Sequence, residues 1–153
     1  MEHEKYPYLF SMPDFDPGES WRNCINPGWH AQFLKAMDCI NELLAEDGLW
    51  PNVFNIDQLK EKFGAVRMYW HLDDDCANEV ARARIESQIE AIVEDLESTT
   101  SEMCSQCGNP ATHRSTGWVL PYCRQCAEKL HDAANARHKT NFPFEMGYVP
   151  IAG

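Results

Sequence analysis

The sequence predicts an α+β protein in which two helices and a β-hairpin are fused to a four-cysteine, treble-clef-like zinc finger. Three observations lead there. Two CxxC pairs, Cys104/Cys107 and Cys123/Cys126, stand fifteen residues apart. Two stretches repeat apolar residues at steps of three and four, the spacing of a helix face. One stretch, Val66 to Leu72, alternates with period two, the spacing of a half-buried strand.

The cysteines are the most specific of these. Two residues between cysteines let both thiolates of one turn point at one metal, and two such turns complete a tetrahedral site. One Zn2+ held by Cys104, Cys107, Cys123 and Cys126 is the expectation. Two disulfides, or four unlinked thiols, are the alternatives. Gly108 follows the first pair, where the chain after a metal-binding turn needs positive φ. Four thiolates leave zinc no open position for water or substrate, so the site reads as structural. The remaining cysteines, Cys24, Cys39 and Cys76, are scattered and read as small core residues outside any disulfide.

The first helix is expected from about Trp29 to Asp47. Phe33, Met37, Ile40 and Leu44 form its apolar face, Pro27 and Gly28 break the chain before it, and Gly48 caps its end. Residues 1–27, punctuated by Pro7, Pro13, Pro17 and Pro27 and rich in aromatics, read as an extended arm packed on the domain. Val53 to Phe63 reads two ways. It is the partner strand of Val66–Leu72, or a short helix on Ile56, Leu59 and Phe63; Gly64 marks a turn in both, and the hairpin is favoured. Asp73, Asp74 and Asp75 are expected to open the second long helix, with acids at the positive end of its dipole. Ile85, Ile89, Ile92, Leu96, Thr99 and Met103 make a heptad-like stripe, to pack on the first helix or to form a dimer seam. The protein is thus a monomer or a homodimer. Beyond Cys104 the order is knuckle, hairpin (109–122) and helix (Ala127–Lys139). The tail then packs along the body. The domains expected are 1–103, acidic, and 104–153, finger and tail.

Lys60-Glu61-Lys62-Phe63-Gly64, the Gly28-Trp29 start, the paired CxxC motifs and Gly117-Trp118 together resemble a family of small uncharacterised bacterial and bacteriophage proteins. The resemblance covers roughly residues 28–130. The family's G-x-L-R-F-Y run stands here as Gly64-Ala65-Val66-Arg67-Met68-Tyr69, which keeps Arg67 and Tyr69 and replaces the aromatic between them. The resemblance implies the fold, the zinc site and a phage or bacterial source; it assigns no activity. KEKFG itself reads as a hairpin turn shaped by Phe63 and Gly64, with a contact surface as its functional alternative.

The net charge is −11, and it is uneven. Residues 1–103 hold 21 acids and 8 bases, whereas residues 104–153 hold 3 acids and 5 bases. The acidic part repels nucleic acid and suits a basic protein surface. Glu86, Glu90, Glu94, Asp95 and Glu97 lie off the apolar stripe and form the expected partner-binding face. Arg124, Lys129 and Arg137 make the finger locally basic, which leaves nucleic acid as its alternative partner. His71 with Asp73–Asp75 suggests a second metal site, but helix capping suits those residues better. His113, Asn135 and His138 on a treble clef suggest a metal-dependent nuclease, though no His-His or Asp-His pair accompanies them. No Ser-His-Asp pattern, glycine-rich phosphate loop or HExxH motif is present. The chain has no apolar run long enough for a membrane span, and its N-terminus lacks the basic start and apolar stretch of a signal peptide. The expectation is therefore a cytoplasmic protein, in the host cytoplasm if phage-encoded. Its expected role is that of a non-enzymatic, zinc-stabilised interaction protein, in a phage setting an inhibitor of a host defence or transcription complex.

Overall fold

The computed structural model describes residues 1–13, 15–16 and 18–152; Pro17, one of the prolines expected to punctuate the N-terminal arm, lies outside them. In chain order the elements are α1 (Glu2–Lys5), α2 (His30–Glu46), β1 (Phe54–Lys62), β2 (Ala65–Leu72), α3 (Glu79–Thr100), β3 (His113–Ser115), β4 (Pro121–Tyr122), α4 (Arg124–His138), α5 (Phe144–Gly147) and β5 (Tyr148–Pro150). The fold is α+β, with a knuckle, hairpin and helix in treble-clef order.

β1 and β2 form an antiparallel hairpin, which settles the ambiguity over 53–63 in favour of a strand. Its turn is Phe63-Gly64, with φ of 54° and 81°. Two successive positive φ values give the turn shape whose twist matches paired strands. The pairing slips between Ile56 and Gln58. Phe54 and Ile56 are buried before this bulge and Leu59 after it, so the inward phase changes from even to odd residues. That phase change is why Ile56 and Leu59 imitated helical spacing, whereas Phe63 belongs to the turn.

α2 buries Phe33, Met37, Ile40 and Leu44, as the periodicity predicts, and adds Ala36. α3 differs from its prediction in two ways. Its N-cap is Asn78, whose side chain accepts a hydrogen bond from the Ala81 N–H at 2.9 Å, so Asp73, Asp74 and Asp75 precede the helix and do not open it. Its buried residues are Ile85, Ile89, Val93, Leu96 and Thr100. Ile92 and Thr99 are only partly buried, because a straight helix of 3.6 residues per turn drifts off a strict heptad. α3 packs on α2 and beside β2.

The N-terminal segment packs on this core as expected, but as helical turns and not as an extended arm. Proline-started 3-10 turns at Pro7–Leu9 and Pro27–Trp29 accompany α1. Tyr6, Tyr8, Leu9 and Trp21 are buried. The phenol groups of Tyr6 and Tyr8 donate to Asp38 (2.6 Å) and Asn41 (2.9 Å) on α2. Cys24 and Cys76 pack at the edge of the core, whereas Cys39 is exposed on α2 and is not a core residue. The tail does more than pack along the body. Its residues Tyr148–Pro150 form β5, which pairs with β3 and makes a sheet of order β4-β3-β5. Phe144 and Tyr148 then cover a second hydrophobic cluster around Cys104, Tyr122 and Ala127.

Candidate functional site

The four cysteines of the two CxxC pairs converge. Their sulfurs all lie within 4.8 Å of one another, and no disulfide links any of the described cysteines. Tetrahedral ligation at a Zn–S distance of about 2.3 Å places sulfurs about 3.8 Å apart. Cys107 Sγ and Cys123 Sγ are 3.7 Å apart. The four residues are positioned to hold one metal ion, and their all-thiolate chemistry fits zinc.

Local structure aims each sulfur. The knuckle closes through Gly108 N–H to the Cys104 carbonyl (2.9 Å) and Cys104 N–H to the Asn109 carbonyl (2.7 Å), with Gly108 at φ 81° as expected. Cys123 is the N-cap of α4, and its sulfur accepts from the Cys126 N–H at 3.4 Å. A helix N-terminus stabilises negative charge on such a sulfur. Burial pushes the Cys104 thiol up, but backbone N–H groups of Cys123, Cys107 and Gln106 outweigh it and bring the thiol down to about 7. Burial and the neighbouring thiols raise Cys126. A dication would displace the remaining protons, so metal affinity falls in acid.

The knuckle is also clamped from the N-terminal side, by a contact the sequence reading missed. Gly28 N–H donates to the Ser105 carbonyl at 2.9 Å, and Trp29 Nε1 donates to the Met103 carbonyl at 3.0 Å. A Cβ on Gly28 would fall against the Cys104 carbonyl, 2.7 Å from Gly108 N. The signal was present as a glycine just before a helix, where a capping side chain is the usual choice.

The acidic face divides. Glu86, Glu90, Glu94 and Glu97 line one groove of about 890 Å³ between α3 and β2, while Asp95 lies on the opposite side of the helix, facing α2. Of these, Glu86 pairs with Arg82 (2.9 Å) and Glu97 with Arg67 (2.6 Å). Trp70 Nε1 donates to Glu90 at 3.2 Å, which leaves that charge uncompensated, and Glu94 has no partner among the described residues. Met68 and Val93 form the apolar floor.

Other sequence candidates disperse. His71 pairs with Asp57 at 2.8 Å, and among the described residues the four cysteines are the one group of three or more metal-ligating side chains that converges. His113 is buried edge-on to Phe144, while Asn135 and His138 line a separate cleft. Lys129 and Arg137 form no ion pair among the described residues, whereas Arg124 pairs with Glu128 at 2.6 Å. Phe63 and Trp118 stand exposed at the tips of the two hairpins, with Trp118 Nε1 donating to Glu61. No helix of the described residues is long and apolar enough to cross a membrane.

No protein-family model matches the chain, and no solved structure matches it. Among curated proteins, the chain is 30% identical over 81 residues to "Transcription factor E" of Pyrococcus abyssi (strain GE5 / Orsay). The matched region is 48% of this chain and 43% of that protein, so the chain spans less than half the length of the relative.

Proposed function

We propose that the protein is a non-catalytic docking protein: a zinc ion bound by Cys104, Cys107, Cys123 and Cys126 staples the finger, and the groove side of α3 binds a basic surface on a partner protein. The carrying observation is the groove itself, where Glu90 and Glu94 present uncompensated charge beside an apolar floor. Such a surface attracts a cationic partner and steers its approach. Four thiolates around the metal leave it no position for substrate, which supports a structural role for the ion. The docking set is Glu86, Glu90, Glu94 and Glu97; Asp95, turned toward α2, is not part of it.

A second reading, nucleic-acid binding through the finger, is favoured by the similarity to Transcription factor E and by Lys129 and Arg137 on α4, which form no ion pair among the described residues. No observation supports the narrower expectation of a phage inhibitor of a host complex, and it is not part of the proposal.

Two charge-reversal variants separate the readings. One carries Glu86→Lys, Glu90→Lys and Glu94→Lys; the other carries Arg124→Glu, Lys129→Glu and Arg137→Glu. Both are checked for native circular dichroism and used beside wild type to capture partners from a cell lysate. Docking through α3 predicts proteins retained by wild type and by the finger variant but lost by the glutamate variant. Equal retention by the glutamate variant at low and high salt contradicts it. Nucleic acid bound by wild type and lost only by the finger variant establishes the second reading.

A further inference from the structure

Among the described residues β2 has a strand neighbour on one edge only, since its sheet consists of β1 and β2. The other edge faces the groove: five consecutive residues, Arg67 to His71, line it. Successive side chains of a strand point to opposite faces, so an unbroken run of lining residues marks an edge. The hydrogen bonds at the two ends of β2 fix which backbone groups point that way. Val66 N–H donates to Thr100 Oγ1 of α3 at 3.0 Å, and the Leu72 carbonyl accepts from the Arg82 guanidinium at 2.8 Å. Backbone groups of alternate residues point to the same edge of a strand. Met68 and Trp70, between these two positions, therefore aim their N–H and C=O groups into the groove as well.

Side chains of α3 thus bond the backbone at both ends of this edge; in the middle the contacts are between side chains, Trp70 with Glu90 and Arg67 with Glu97, and the N–H and C=O groups of Met68 and Trp70 on this edge have no hydrogen-bond partner among the described residues. The Thr100 hydroxyl meets the strand at one end and the Arg82 guanidinium at the other. Glu90 and Glu94 flank this stretch. They stand one helical step of four residues apart, about 6 Å along the axis, close to the about 6.8 Å between alternate residues of an extended chain. Both charges lack a cationic partner among the described residues.

We propose that the edge of β2 at Met68 and Trp70 receives an extended segment of a partner protein as an added strand, with alternate lysine or arginine side chains against Glu90 and Glu94. Backbone pairing supplies the affinity and the carboxylates select basic side chains, the division of labour in strand addition. The proposal rests on the docking reading above and adds the form of the partner.

The probe is a short labelled peptide alternating lysine with valine. Two further versions carry N-methyl groups on alternate backbone amides, one version in each register. The peptide should bind wild type saturably, and Glu90→Lys with Glu94→Lys should weaken binding by about tenfold or more at low salt. At saturation the Met68 and Trp70 amides should exchange with deuterium about tenfold more slowly. One N-methyl version should lose binding and the other keep it, because only one register turns its amides to β2. No saturable binding to wild type overturns strand addition. Unchanged exchange at Met68 and Trp70, or equal binding by both N-methyl versions, overturns it too, while docking through α3 stands. Docking itself fails on a different result, the retention of captured proteins by the glutamate variant.

Discussion

Phe63 holds φ of 54° and is 82% exposed. A bulky side chain in left-handed backbone costs about 1–2 kcal/mol, and an exposed ring recovers little of that by burial. Asn, which tolerates this conformation, should suit the turn better: Phe63→Asn is expected to raise stability by about 1 kcal/mol, read as a higher denaturant midpoint with an unchanged slope. A loss of stability would show that the ring packs against something in the folded state. Gly28 is the opposite case, since space and not φ demands a glycine. Gly28→Ala pushes a methyl into the Cys104–Gly108 backbone and should cost about 1–3 kcal/mol; an unchanged midpoint would contradict the clamp. The cysteines were legible because a CxxC turn is local chemistry. Gly28 was not, because its neighbours lie far along the chain at Cys104 to Gly108.

At the scale of elements, periodicity located α2, β2 and the body of α3, but not the one-turn helices α1 and α5, and it failed where geometry departs from a simple repeat. The bulge at Asp57 reset the phase of β1, and the drift of α3 replaced Ile92 and Thr99 with Val93 and Thr100. β5 carried no strand signal, because three residues at a sheet edge are too few to show alternation. The N-terminal segment is pinned by electrostatics as well as by burial. Arg22 beside Glu2 holds its carboxyl below the ordinary range. Burial raises Asp38, but hydrogen bonds from Tyr6 and Lys5 outweigh it and leave that carboxyl lowered. Groups depressed in the folded state stabilise it above the unfolded carboxylate pKa and lose that effect as pH falls through the folded value. Hydrogen exchange across residues 2–9 should therefore rise as pH drops below about 4, after correction for intrinsic rates, and before α2 opens. Simultaneous opening of α2 would contradict separate pinning.

At the scale of the whole molecule, the charge division read from the sequence gains a location. The acids of α3 are spread around the helix, and the fold brings four of them to one groove while turning Asp95 away. The sequence could not reveal that β2 would present its edge there, because an edge is defined by what does not pair with it. The four sulfurs are joined to the main body through Gly28 and Trp29, so the finger is no loose appendage. A non-catalytic role requires that the metal shell be closed, and X-ray absorption at the zinc edge of the purified protein measures that shell directly. The expected result is one zinc per chain with four sulfur neighbours at about 2.3 Å and no lighter ligand. Absence of zinc, or a nitrogen or oxygen neighbour in the first shell, would contradict it.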